Sequence, residues 1–172
     1  MPPSPAERAA ERWAFLEQYD WRHLGQGAFS FLWSRPTSSN VASRGYALSG
    51  GESLALLPGA FAVGGMQDFE LRFVPDDALG LHLSRYHLES GLRVGALEAM
   101  VRVGVTTLHV SYGDGFSVGM FSPRVGAGAW LWLGAARLGV SAFSEYCWRW
   151  LGDESAFVQG LSLELALARP KY

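Results

Sequence analysis

His82 and Ser84 stand two residues apart in LHLSRYHLES, and on an extended chain alternate side chains project to one side, so an imidazole and a hydroxyl become neighbours. That pair could act as base and nucleophile in acyl transfer, with Glu89 or Glu98 as the carboxylate that orients the imidazole. The candidate catalytic set is therefore His82, Ser84 and Glu98, against the plainer reading of a histidine and a serine hydrogen-bonded on a strand face. Other polar groups point to less chemistry. His23, His87 and His109 fit no helical zinc spacing such as HExxH, and Cys147, the single cysteine, can build neither a multi-cysteine zinc site nor an intrachain disulfide. It reads as a small interior filler. Asp76-Asp77 and Asp153-Glu154 are carboxylate pairs in turn-like sequence, where acidic residues are ordinary. Gly113-Asp114-Gly115 and Gly126-Ala127-Gly128 follow strand-like runs without opening a helix, so they read as turns and not as phosphate cradles. No metal and no cofactor is expected.

The elements that must carry these residues are mostly strands. Residues 5–20 have a helical pattern, with Ser4 as N-cap, Pro5 in the first turn and an apolar stripe of Ala6, Ala9, Trp13 and Leu16. From Arg22 onward the period falls to two. In 137–150, Leu138, Val140, Ala142, Ser144, Tyr146, Trp148 and Trp150 share one face, while Arg137, Gly139, Ser141, Phe143, Glu145, Cys147 and Arg149 share the other. In 160–168, Leu161, Leu163, Leu165 and Leu167 alternate with Ser162, Glu164, Ala166 and Ala168. Phe29, Phe31 and Trp33 repeat the design, as do Phe69, Leu71 and Phe73 opposite Glu70 and Arg72, and Leu79, Leu81 and Leu83 opposite His82 and Ser84. Further strands fit 45–57, 92–96, 101–112, 115–122 and 126–133. Turn chemistry separates the runs at 34–40, 75–77, 113–115, Ser122-Pro123-Arg124 and 152–155. The expected fold is all-β, an antiparallel up-and-down β-barrel of about eight strands over 22–172, preceded by a segment 1–21 with a short helix.

The 172 residues are 49% apolar and 13% aromatic but only 17% charged, with 21 glycines, a formal net charge of −2 and Lys171 as the single lysine. So much apolar area and so little net charge exclude disorder, and the absence of a basic stripe argues against nucleic acid as a partner. No apolar run reaches the about 18 residues of a transmembrane helix. Alternation alone fits two barrels. In a soluble one the leucine row of 160–168 points inward around an apolar ligand; in a membrane one it meets lipid and the small or polar face lines the lumen. The non-apolar faces here hold glycine, serine, alanine and isolated charges. That composition suits a cramped lumen in which Arg137, Glu145, Arg149 and Glu164 form an internal network. Trp33, Tyr112, Trp130, Trp132, Tyr146, Trp148, Trp150 and Tyr172 lie toward strand ends, the placement of membrane-interface aromatics.

With these features, above all VGAGAWLWLG, RLGVSAFSEYCWRWLGDES and the terminal GLSLELALARPKY, the chain resembles the small outer-membrane β-barrel proteins of Gram-negative bacteria. In that class a terminal aromatic such as Tyr172 serves recognition by the assembly machinery. His82-Leu83-Ser84 is also similar to the His-x-Ser pair of outer-membrane lipid A deacylases, with Arg85 standing where that family favours asparagine. The resemblance implies a bacterial outer-membrane location, with membrane lipid and other envelope proteins as partners. MPPSPAERAAERWAFLEQYDW lacks a basic region followed by an apolar one, so that location supposes a leader already removed. The expected role is structural, adhesive or that of an envelope-complex subunit, without enzymatic activity. A soluble cytoplasmic barrel binding an apolar ligand and a lipid-modifying hydrolase using His82 and Ser84 are the alternatives.

Overall fold

The computed structural model describes residues 19–38, 40–57, 61–74, 78–112, 116–151 and 155–170, of which 19–23, 54–57, 61–68, 74, 78–84, 111, 117, 149–151, 169 and 170 are described by backbone alone. The helix expected over 5–20 falls outside these residues, except that Tyr19 and Asp20 already belong to the first strand.

Ten strand segments follow in order: β1 (Tyr19–Pro36), β2 (Ser43–Leu57), β3 (Phe61–Val74), β4 (Ala78–Val94), β5 (Leu97–Tyr112), β6 (Phe116–Gly119), β7 (Ser122–Leu133), β8 (Ala136–Cys147), β9 (Arg149–Leu151) and β10 (Ala156–Pro170). Every pairing is antiparallel. β6 and β7 both pair with β5, and β9 continues β8 against β6, so each couple is one strand broken for a residue or two. Eight strands result. β1 closes the ring on β10, with Phe29 opposite Leu163 and Trp33 opposite Gln159. Closure leaves no sheet edge, the condition for a β-structure to cross a hydrocarbon layer.

Connections at the two ends differ. At one end, Gly95-Ala96 and Gly134-Ala135 make two-residue hairpins whose glycines have φ of +63°, a backbone angle that a side chain disfavours. β1 begins and β10 ends at that turn end, with Tyr19 opposite Pro170. The opposite, loop end carries the longer connections β1–β2 and β9–β10, which are tied by a hydrogen bond of 2.9 Å from the Thr37 N–H to the Ser155 carbonyl.

Three expectations of detail need correction. Gly126-Ala127-Gly128 is no turn but the middle of β7, paired on both sides. Ser122-Pro123-Arg124 opens β7 instead of turning, with Pro123 paired to Val105, and the break lies one residue earlier at Phe121, whose φ is +56°. Residues 92–94 belong to a single β4 that runs from Ala78 to the hairpin at Gly95.

Candidate functional site

The lumen is ionic. Near its loop-end half, Glu70 and Arg72 of β3, Arg85 of β4, Arg124 of β7 and Glu145 of β8 are all buried and converge. Arg72 places Nε 2.5 Å from Glu70, pairs with Glu145 through Nη2, and donates through Nη1 to the Cys147 sulfur at 3.3 Å. Arg85 also pairs with Glu70, and Arg124 lies 3.4 Å from Glu70 and 3.7 Å from Glu145 while its guanidinium stacks 3.4 Å from the Phe143 ring centre. Thr106 donates to Glu145 at 3.1 Å.

A second cluster occupies the turn-end half. Arg102 of β5 holds Glu164 of β10 through both terminal nitrogens at 3.0 and 3.1 Å and Glu89 of β4 through Nε at 2.6 Å. Glu164 also accepts from Ser141 and, at 3.2 Å, from the Trp130 indole. Arg137 pairs with Glu98 at 3.1 Å, and the Trp132 indole donates to the same carboxylate. Among the described residues the lumen thus holds five arginines (72, 85, 102, 124, 137) and five glutamates (70, 89, 98, 145, 164), so its formal charges cancel. Burying even one unpaired charge would cost several kcal/mol, and pairing offsets part of that penalty. Between the clusters, Ser30, Arg85, Arg102, Arg124 and Ser162 line a cavity of about 20 Å³, room for one water. Ser30 and Ser162 hydrogen-bond each other across it at 2.7 Å. His87 is buried here too, against Gly104, with neither ring nitrogen hydrogen-bonded to a described residue.

The outer wall is the inverse. Leu161, Leu163, Leu165 and Leu167 are 49%, 57%, 44% and 53% exposed, and the neighbouring strands add outward Phe31, Leu48, Val101, Val103, Val125 and Val140. Outward charges among the described residues are confined to two rims: Arg35 and Arg44 near the loop end and Glu52 near the turn end, where Arg93, on the inner phase of β4, lies over the inward Trp132 ring at the mouth of the lumen. Ten residues of β1 separate Arg35 from Gly25, the partner of Glu52. At ~3.3 Å per residue and a tilt of ~40°, that is a height of roughly 25 Å, the thickness of the apolar band on a membrane barrel. The wall is built for hydrocarbon. The soluble alternative required the leucine row to point inward, and it points outward because Ser162, Ala166 and Ala168 occupy the inner phase of β10.

The sequence candidates distribute as follows. Arg137, Glu145 and Glu164 are in the lumen clusters; the side chain of Arg149 lies outside the described residues. Trp33, Tyr112 and Trp148 are outward at the loop end, where Tyr146 packs on Phe157 with ring centres 4.8 Å apart. Trp130 and Trp132 require correction. Trp130 is 2% exposed and both rings turn inward, because they share the phase of Gly126 and Gly128 on β7, and the absent side chain of Gly139 opens the space that Trp130 fills. The side chains of Trp150 and Tyr172 lie outside the described residues.

For the candidate catalytic set, backbone register places His82 opposite Glu70 on one side and His109 on the other, beside a bulge that the β3–β4 pairing absorbs at 83–84. The side chains of His82 and Ser84 themselves lie outside the described residues. Glu98 does not join them. It sits eleven residues from His109 along β5, roughly 35 Å away, and is engaged by Arg137 and Trp132. Glu89 is likewise taken up by Arg102. Residues that sequence reasoning left out of the network include Arg85, Glu89, Glu98, Arg102 and Arg124. Their signal was phase: Arg102 alternates with Gly104, and Arg124 with Gly126, on the small-residue side of their strands.

No protein-family model matches the chain, and no curated protein matches its sequence. Solved structures do match in fold. Neisserial surface protein A (NspA) aligns over 84% of this chain and 96% of its own with a TM-score of 0.59 at 9% identity. The outer membrane enzyme PagL aligns over 81% and 98% with a TM-score of 0.53 at 16% identity. The fold is therefore that of the small outer-membrane β-barrels.

Proposed function

We propose that the chain is a closed barrel of a Gram-negative outer membrane whose work is done by its loop end and outer wall, in structural support, adhesion or an envelope complex. The observation that carries this reading is the distribution of charge. Paired arginines and glutamates fill the lumen, while the wall between two charged rims is apolar. An ionic plug of this kind leaves little path for solute, so a transport role is disfavoured. Both a surface protein and an enzyme share the fold, so fold by itself does not choose between binding and catalysis. The non-enzymatic choice is supported by the distance of Glu98 from His82 and the engagement of Glu89 by Arg102.

The test is membrane fractionation of the native host, followed by gel migration with and without heating and by conductance in a planar bilayer. A detergent-extracted, heat-modifiable and non-conducting protein is expected. A detergent-free monomer would overturn the membrane reading, steady ion current the plug, and ester release from a lipid substrate abolished by His82→Ala or Ser84→Ala the non-enzymatic role.

A further inference from the structure

The five lumen arginines each have a glutamate; among the described residues, two outward arginines have none. Arg35 of β1 and Arg44 of β2 make no ion pair with a described residue, and Arg44 is the register partner of Trp33, two residues from Arg35. Both belong to the loop-end rim, at the height where an apolar band gives way to headgroups. Beside them an open groove of about 310 Å³ runs over the outer wall, lined by Trp33, Arg35, Asn40, Phe157 and Gln159. Its volume is at the small end of ligand pockets, about 300–1,000 Å³. The strand ladders hold its floor: Arg35 opposes Phe157 and Trp33 opposes Gln159.

We propose that this groove, with Arg44 at its side, binds the phosphate-bearing headgroup of a membrane lipid. A guanidinium presents a planar fork of donors that suits phosphate oxygens, and two such forks on adjacent strands can grip one headgroup. The Asn40 and Gln159 amides add neutral donors. Below the groove the wall continues as Phe31 and Leu161, an apolar track for acyl chains. Charge complementarity selects the occupant: among the described residues the outward carboxylate, Glu52, is at the opposite rim, and the outward charges beside the groove are the two arginines. The proposal rests on the membrane location inferred above.

The full chain, purified in dodecylmaltoside micelles, is examined by native mass spectrometry with phosphatidic acid, with diacylglycerol of the same chains, and with inorganic phosphate as competitor. Phosphatidic acid should bind more tightly, and Arg35→Gln/Arg44→Gln should lose about tenfold per arginine, the worth of a hydrogen bond to a charged group. Diacylglycerol binding should not change. Arg35→Lys, which keeps the charge but not the fork, should retain part of the preference. Heat-modifiable migration of each variant reports that the barrel has formed. Equal binding of the two lipids, an undiminished preference in the double variant, or full competition by equimolar inorganic phosphate would overturn the lipid site. A chain that is monomeric before any detergent is added would instead overturn the membrane reading beneath it.

Discussion

Arg102 on β5 reaches across the lumen to Glu164 on β10, bypassing β7 and β8, and meets both carboxylate oxygens at 3.0 and 3.1 Å. The two residues thus fasten opposite walls, which no ladder hydrogen bond can do.

Removing one partner leaves the other charge buried. Arg102→Ala should cost about 3–5 kcal/mol in urea unfolding from micelles, since Glu164 and Glu89 both lose their main cation. Arg102→Met combined with Glu164→Met should cost less than the two single changes summed, by about 1 kcal/mol or more. Additive losses would show that the contact does not couple the walls.

The wall obeys the opposite rule. Leu163, 57% exposed, is near the middle of the apolar band, so Leu163→Arg should destabilise the barrel by about 2–4 kcal/mol in lipid vesicles. Leu163→Phe should leave it close to unchanged. Folding equilibria followed by heat-modifiable migration measure both.

Close packing inside makes two glycines unequal. A Cβ at Gly139 would lie 2.2 Å from the Trp130 ring and 2.6 Å from the Ala129 carbonyl, whereas one at Gly25 meets nothing within 4 Å. Gly139→Ala should therefore cost about 1–3 kcal/mol, and Gly25→Ala should be tolerated. Parallel unfolding curves decide it.

Tryptophan quenching separates the two faces. In single-tryptophan variants reconstituted with lipids brominated on their acyl chains, Trp33, 41% exposed on the wall, should be quenched severalfold more than Trp130, which is 2% exposed. Equal quenching would return Trp130 to the lipid face.

Much of this architecture was legible in the residues. The phase of 137–147 and 160–168 assigns lumen and lipid faces correctly, because glycine, serine and charge alternate there with leucine and valine over many residues. The same phase on GAGAWLWL puts both tryptophans with the glycines; their place toward a strand end points the other way, but interior space beside Gly139 admits a large ring. Pairings such as Arg72 with Glu145 were out of reach, since they depend on which strands oppose across the ring and not on spacing along the chain. Phase also fails at an irregularity. On β5 the buried residues run Arg102, Thr106, His109, so the inner face changes parity, and only the built backbone locates that change.

The Arg102–Glu164 contact bears on the order of assembly. A chain made from its N-terminus presents β5 well before β10, and until β10 arrives Arg102 has Glu89 but lacks Glu164. The final strand then supplies two things at once: the ladder that seals β1 and the carboxylate that completes the charge balance inside. An unsealed sheet entering lipid ahead of that strand would carry unpaired ladder groups and an Arg102 short of one carboxylate with it, a cost that favours insertion and ring closure as one event.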